Sequence, residues 1–207
     1  MTVAPTVFVV DDNAGVRKSL RALFESAELA VETYASGEEF LADYDPDRAG
    51  CLLLDVRLRQ SSGLDLQDEL RRRQTALPII VLTGHGTVPT SVRALKAGAL
   101  DFIQKPAPPK VLLERVRAAL DVDRKARLAA AEGAVIAERL GHLTPREREV
   151  MELLLAGKSS KEIAAALGVS VRTVEGHRRE VLSKTHVSSA AQLVRAVLSV
   201  RKGSSRP

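Results

Sequence analysis

The chain of 207 residues contains one cysteine, no tryptophan and no apolar run of membrane-spanning length. The single thiol, Cys51, excludes an internal disulfide and favours a reducing compartment. A bilayer-spanning helix needs about 20 apolar residues, whereas the first apolar run ends at Asp11. The segment before that run has no basic residue and no cleavage pattern of a signal peptide. These absences predict a cytoplasmic protein with no membrane partner.

Aromatic residues and negative charge are both scarce in the last third of the chain. Every Phe and Tyr lies before residue 103, and residues 139–207 have 13 basic against 6 acidic side chains. Residues 1–121 have 15 basic against 17 acidic side chains, and residues 122–138 have equal numbers. Because the length allows two cores, we predict a first domain over 1–121, a linker over 122–138 and a second domain over 139–201. A tail over 202–207 is expected to be disordered. The basic segment fits a polyanionic partner, and equally simple solvation.

Residues 1–121 alternate short apolar runs with helical patterns. Runs such as 7–10, 51–54 and 78–82 are apolar throughout and indicate five strand–helix units. Fully apolar strands predict a parallel sheet covered by helices on both faces, hence an α/β domain. Ligands of such sheets bind outside the carboxyl ends of the strands. The residues found at those ends are Asp11, Asp12, Asp55, Thr83 and Lys105.

Three carboxylates in one cleft repel one another, so a cation is expected among them. Mg²⁺ suits such a site, because it prefers oxygen ligands and accepts a few carboxylates together with water and phosphoryl oxygens. An Asp in this setting can act as a nucleophile toward a phosphoryl donor. The ammonium of Lys105 and the hydroxyl of Thr83 can then stabilise the phosphoryl oxygens.

Each of these residues also has an ordinary explanation. Asp11 or Asp12 can cap the following helix, Thr83 can belong to a turn, and Lys105 can be a solvated charge. The site is therefore predicted from the conjunction of all five residues at strand ends.

Residues 5–120 resemble the receiver domain of bacterial response regulators. The resemblance lies in Val9-Val10-Asp11-Asp12, Leu54-Asp55-Val56-Arg57, Leu82-Thr83-Gly84 and Asp101-Phe102-Ile103-Gln104-Lys105-Pro106. The stretches 83–89 and 92–99 point to the FixJ-like subgroup. This resemblance implies a flavodoxin-like sheet of five parallel strands in the order 2-1-3-4-5.

The same resemblance implies roles for individual residues. Asp55 is the expected phosphoacceptor, and Lys105, preceding a cis Pro106, is expected to contact the phosphoryl group. Mg²⁺ is expected to bind Asp12, Asp55 and the Arg57 carbonyl, with Asp11 acting largely through water. Thr83 and Phe102 are the expected switch pair, although Phe102 can also be an ordinary core aromatic. The chain departs from the family at Arg59-Gln60, where a Pro is common. Arg57 and Arg59 thus add cations that can change acyl-phosphate lifetime.

Short helices are predicted throughout the basic segment, after a helical stretch over 111–140. Thr144, Pro145 and Glu147 form the pattern of a capping box, and Ser160 is the predicted cap of the next helix. Gly168 suits a left-handed turn before a third helix, for which Val171 is among the predicted core positions. Two short helices around a Gly turn match a helix-turn-helix. A simple αα-hairpin is the alternative.

Residues 143–193 resemble the LuxR-type four-helix DNA-binding domain. The resemblance lies in residues 159–170 and in Thr173-Val174-Glu175-Gly176-His177. It implies base contacts by Glu175, Gly176 and Arg179, with Arg178 close by. It implies phosphate or positioning contacts by Thr173, His177 and Lys184, and dimerisation through the last helix.

The sequence is therefore identified as that of a NarL/FixJ-type response regulator. Its expected partners are a sensor histidine kinase, promoter DNA, a second copy when phosphorylated, and RNA polymerase. It is expected to catalyse only its own phosphorylation and slow dephosphorylation. One alternative is an aspartyl-phosphate hydrolase, but Arg57 stands where that enzyme needs a second Asp. The other is an adaptor whose basic domain binds protein, with little dependence on salt.

Overall fold

The computed structural model describes residues 4–58, 62–84 and 88–204. The chain divides into two compact units, Met1–Arg127 and Leu128–Pro207. Arg59, the motif residues 85–87 and the tail residues 205–207, all of which entered the sequence predictions, lie outside the described residues.

The first unit is a parallel sheet with alternating helices. Its strands are β1 (Thr6–Val10), β2 (Ala30–Tyr34), β3 (Gly50–Leu54), β4 (Ile79–Thr83) and β5 (Asp101–Gln104). Its helices are α1 (Ala14–Ser26), α2 (Gly37–Asp43), α3 (Gly63–Arg72), α4 (Val88–Lys96) and α5 (Pro109–Gly141), of which α5 continues into the second unit. All strand pairs are parallel, and the order β2-β1-β3-β4-β5 confirms the predicted fold.

The apolar strands are buried on both faces of the sheet. Every residue of β1, β3 and β4 is buried. Because alternate strand residues point to opposite faces, Phe8 and Leu52 join one core cluster, whereas Val9 and Leu53 join the other. Burial of one such side chain stabilises the fold by about 1.5–3 kcal/mol. The sheet is thus a rigid base from which the loops at its carboxyl edge project.

The second unit consists of short helices around a core of its own. After α5 they are α6 (Pro145–Leu155), α7 (Ser160–Leu167), α8 (Val171–Thr185) and α9 (Ala190–Ser204). Thr144 and Glu147 form the predicted capping box of α6. Gly168 ends α7 in the left-handed conformation, with a φ of 67°. Ile163, Val174 and Val181 are fully buried in the core, so α7 and α8 pack together as a helix-turn-helix requires.

Some local predictions are wrong. The cap of α7 is Ser159, which forms a capping box with Glu162, so that Ser160 is already inside the helix. Val171 is 42% exposed rather than buried, because it lies on the first turn of α8. The tail over 202–207 stays a prediction, and α9 is described as far as Ser204.

None of the helices in the described ranges combines the length and the apolar character that crossing a membrane requires.

Candidate functional site: a strand-end cleft and an exposed recognition helix

The sheet register brings the acidic residues and Lys105 to one edge. Val10 pairs with Leu54, and Thr83 pairs with Gln104, so the residues after these strands emerge side by side. The Asp55 N–H donates to the Val10 carbonyl at 2.9 Å, and the Lys105 N–H donates to the Thr83 carbonyl at 2.7 Å. The main chain therefore holds the predicted site residues at the carboxyl edge.

Lys105 forms ion pairs with Asp11, which follows β1, and with Asp55, which follows β3. Its Nζ lies 2.6 Å from Asp11 Oδ2 and 2.6 Å from Asp55 Oδ2. The side chains of Asp11 and Asp55 are only 3% and 12% exposed. Burial alone would lower the pKa of Lys105, but its hydrogen bonds to the two carboxylates outweigh burial and raise that pKa. The ammonium therefore stays charged between two carboxylates.

A cleft of about 310 Å³ opens above this ion-pair cluster. It is lined by Asp11, Asp12, Asn13, Val16, Asp55, Arg57, Leu58, Thr83, Gly84 and Lys105. Thr83 is buried, whereas Arg57 is exposed. The structure thus brings together every residue that the sequence assigned to the phosphoryl and metal sites.

The donor set suits a hard cation, although Lys105 partly neutralises it here. Asp11, Asp12 and Asp55 supply carboxylate oxygens to one cleft, and such oxygens are what Mg²⁺ prefers. Among the residues that the structure describes, no three acidic, His or Cys side chains are grouped as a metal cluster. The carboxylates of Asp11 and Asp55 instead both face Lys105.

Three residues that sequence reasoning missed shape the cleft. Arg17 donates from Nη1 to the Asp11 carbonyl at 2.6 Å, and the Asn13 N–H donates to Asp11 Oδ1 at 2.8 Å. Gly63, at the start of α3, passes so close to Asp55 that a Cβ there would lie 2.0 Å from the Asp55 carbonyl oxygen. A side chain at position 63 would therefore displace the Asp55 loop. A Gly eight residues after Asp55 can be seen in the sequence, but only the packing shows why a side chain does not fit there.

The predicted switch residues, Thr83 and Phe102, lie on the neighbouring strands β4 and β5. Thr83 is 1% exposed, and Phe102 is half-buried against the core cluster that contains Phe40 and Val81. Helix α4 is tied to α3 by Gln67, whose Nε2 donates to the Ala94 carbonyl at 2.8 Å. Gln67 Oε1 is buried and has no hydrogen-bond partner among the described residues.

The exposed face of α8 contains most of the predicted DNA contacts. Thr173, Glu175, Gly176 and Arg179 are exposed, and His177 and Arg178 are partly exposed. A helix presented in this way, after a short α7 and a Gly turn, has the arrangement of a recognition helix.

Lys184 differs from the other predicted DNA contacts. Its Nζ donates to both carboxylate oxygens of Glu147 at 2.8 Å. The Glu147 side chain is only 7% exposed. The hydrogen bond from Lys184 has the largest effect on the pKa of Glu147 and lowers it. Burial acts in the opposite direction, and hydrogen bonds from Thr144 lower the pKa further. Lys184 therefore joins α8 to α6 within the unit.

An α/β domain with an acidic cleft at its carboxyl edge, followed by a helix-turn-helix unit, defines a two-domain signalling regulator. Residues 7–117 match the response regulator receiver domain, and residues 141–197 match the bacterial regulatory proteins of the luxR family. The chain therefore belongs to the NarL/FixJ family of two-component response regulators. Its two domains are those of a DNA-binding transcriptional regulator.

The matches with several relatives extend over both units of this chain. Nodulation protein W of Bradyrhizobium diazoefficiens is 44% identical over 189 residues, which cover 91% of this chain and 83% of that protein. The transcriptional regulatory protein FixJ of the same organism is 39% identical over 206 residues, 98% of each chain. The solved structure of the response regulator StyR has a TM-score of 0.81 and 39% identity, covering 94% of this chain and 98% of that one.

Proposed function

We propose that Asp55 accepts a phosphoryl group from a sensor histidine kinase, and that this modification increases promoter binding by the second unit. The observation that carries the proposal is the position of Lys105, 2.6 Å from both Asp11 and Asp55 beneath one cleft. A carboxylate nucleophile and an ammonium that share one cleft support phosphoryl transfer at this site.

In the proposed transfer, an Asp55 carboxylate oxygen forms a bond to phosphorus while the phosphorus–nitrogen bond of the donor phosphohistidine breaks. The electron pair leaves with the imidazole, which takes up a proton, and Asp55 becomes an acyl phosphate. Lys105 exchanges its contact with Asp55 for one with a phosphoryl oxygen, while Asp11 keeps the ammonium in place. The Thr83 hydroxyl donates to another phosphoryl oxygen.

The residues that would hold Mg²⁺ are Asp12, Asp55 and the Arg57 carbonyl, with Asp11 acting through water. The ion supplies positive charge to the phosphoryl oxygens. Arg57, at the exposed rim of the cleft, adds a further cation and changes the lifetime of the acyl phosphate. Slow loss of the phosphoryl group to water is the only other reaction proposed for the site.

The response to phosphorylation runs through Thr83 and Phe102. A new dianionic group at Asp55 draws the Thr83 hydroxyl inward, and Phe102 and α4 repack behind it. The altered face pairs with a second copy, and residues 122–138 act as the linker to the second unit. Two copies of α8 then reach two half-sites of promoter DNA, where RNA polymerase is a further partner. We place these events in the cytoplasm.

Phosphorylation of the Asp55→Asn variant tests the proposal. The full chain is treated with acetyl phosphate and Mg²⁺, and the phosphoryl group is located by mass spectrometry of borohydride-reduced peptides. We expect wild type to be modified at Asp55 and to bind promoter DNA more tightly afterwards, and Asp55→Asn to show neither effect. Asp45→Asn, an identical change at an exposed loop residue, should behave as wild type. Phosphate-stimulated DNA binding by Asp55→Asn would contradict the proposal.

A further inference from the structure

Ser160, on the first turn of α7, touches two side chains of α8. Its Oγ donates to Glu175 Oε1 and accepts a hydrogen bond from Arg178 Nη1 at 2.5 Å. A serine hydroxyl has one proton to donate and lone pairs to accept, so both of its functions are used. The direct distance between Arg178 Nη1 and Glu175 Oε1 is 3.8 Å, too long for a hydrogen bond. The hydroxyl therefore bridges the two charged groups.

This bridge is not needed to start α7. Ser159 is the N-cap, and its side chain accepts a hydrogen bond from the Glu162 N–H. The Glu162 carboxylate in turn accepts a hydrogen bond from the Ser159 N–H. The free N–H group of the first turn that a cap satisfies is thus already bonded to Ser159. The hydroxyl of Ser160 is directed away from its own helix, to α8.

Of the two bridged side chains, Glu175 is a predicted base contact, and Arg178 is predicted to lie close to the base contacts. Glu175 is 54% exposed and Arg178 is 28% exposed, one helical turn apart on α8. A carboxylate accepts from the amino group of cytosine, whereas a guanidinium donates to guanine. Side chains that are fixed before binding lose less conformational freedom in the matching complex, and adapt less readily to a wrong base.

We propose that Ser160 is a specificity-determining positioning residue, which holds Glu175 and Arg178 in one orientation for base discrimination. The inference rests on the proposed DNA-binding function and assigns to α7 a part in reading the sequence. Affinity for DNA of any sequence comes mainly from phosphate contacts, so the loss of this bridge affects discrimination more than general binding.

The test compares Ser160→Ala with wild type in the full chain. A duplex is first selected by wild type from a random-sequence library, and every single-base-pair variant of it is then prepared. Dissociation constants are measured by fluorescence anisotropy for these duplexes and for an unselected duplex. We expect Ser160→Ala to bind the unselected duplex as wild type does, within about twofold, and to lose about three- to tenfold of the discrimination at one or two adjacent base pairs.

Two further variants separate positioning from folding. Ser160→Thr retains the hydroxyl and should restore discrimination. Ser159→Ala removes the N-cap instead, so it should lower the melting temperature and leave the discrimination ratios unchanged. Equal discrimination by Ser160→Ala and wild type would overturn the role of Ser160 alone. If wild type itself binds selected and unselected duplexes equally, or binds neither, sequence-specific DNA binding and the role of Ser160 both fail.

Discussion

Arg127 Nε donates to both carboxylate oxygens of Asp123, at 3.0 and 2.9 Å, one turn apart on α5. The terminal nitrogens of Arg127 donate to the carbonyls of residues 46, 47 and 48, and Asp123 Oδ2 accepts from the Gly50 N–H at 3.0 Å. The pair thereby joins α5 to the chain entering β3. Both residues of the pair lie in the predicted linker over 122–138, and these bonds hold its beginning against the loop before β3.

Removal of the buried acid should destabilise the first unit. The Asp123 side chain is 2% exposed, so Asp123→Ala leaves the Arg127 Nε–H and the buried Gly50 N–H without their acceptor. We expect the free energy of unfolding to fall by about 1–3 kcal/mol, measured by urea denaturation. Hydrogen exchange at Gly50 should accelerate at the same time.

Asp121→Ala is the matched control for Asp123→Ala. Asp121 pairs with Arg124 and Lys125 on the exposed side of the same helix. Surface pairs of this kind contribute little to stability, so Asp121→Ala should change the free energy of unfolding much less than Asp123→Ala. Equal losses in the two variants would contradict a structural role for Asp123.

Cys51 should be inert in the folded protein. Burial, and secondarily the charge of Asp123, raise the pKa of its thiol from 9.0 to about 12. At pH 8 we expect a thiol reagent to react at least about a hundredfold more slowly with the folded than with the urea-unfolded chain. Since the folded state has the higher pKa, this group's stabilising contribution is present below pH 9.0 and is lost as pH rises towards about 12. Cys51→Ala gives the background rate, and a native rate equal to the unfolded one would refute the prediction.

Gln67 should tolerate an apolar replacement better than an isosteric acid. Gln67 Nε2 donates to the Ala94 carbonyl, which also accepts a hydrogen bond from the Ala99 N–H. Gln67 Oε1 is buried and has no hydrogen-bond partner among the described residues. Gln67→Met removes both the bond and the unpartnered oxygen, so we expect a change within about 1.5 kcal/mol. Gln67→Glu places a carboxyl group against a carbonyl and should cost about 2 kcal/mol or more at pH 8. The reverse order in thermal or urea denaturation would be incompatible with this account.

Lys105→Met should slow the phosphorylation of Asp55 while the fold is retained. The substitution removes the ammonium that faces Asp11 and Asp55 and leaves a side chain of similar length. Loss of one preorganised charge at a reacting oxygen costs about a hundredfold in rate, which can be followed with acetyl phosphate and Mg²⁺. Lys110→Met, at an exposed residue of α5, is the control. An unchanged rate in Lys105→Met would exclude direct contact between Lys105 and the phosphoryl group.

Lys184→Ala distinguishes an internal ion pair from a phosphate contact. Because Glu147 is nearly buried, we expect a loss of about 1–3 kcal/mol in unfolding free energy. The lowered pKa of Glu147 stabilises the folded state above its ordinary value of 4.5. This contribution is lost as pH falls through the lowered pKa, and Lys184→Ala should weaken that pH dependence.

The salt dependence of DNA binding gives the second measurement on Lys184→Ala. The slope of log K against log salt should be unchanged if Lys184 stays with Glu147. A slope reduced by about one unit would instead identify a phosphate contact. Arg179→Ala, at an exposed α8 position, is the positive control for weakened binding.

Strand-end chemistry was predictable because it depends on short patterns. The apolar run before Asp55 predicts a buried strand, and residues that come directly after parallel strands gather at the carboxyl edge of the sheet. The cap at Thr144 is equally local, since its partner Glu147 is three residues away. Ser160 was misassigned although a local pattern identified the cap, because Glu162 stands three residues after Ser159, whereas Ile163 stands three residues after Ser160.

The sequence by itself determined the two units, the sheet order and the set of residues that meet at the cleft, because hydrophobic periodicity and local motifs encode them. Only the tertiary structure decided which polar and charged groups bond to one another. Asp123 with Gly50, Lys184 with Glu147, and Ser160 with Glu175 and Arg178 are separated by between 15 and 73 positions. Such contacts depend on how helices pack, and no local pattern records them. They pair Lys184, which is still predicted to contact DNA, with a nearly buried Glu, and they show that Ser160, which was predicted to be a cap, bridges α7 to α8.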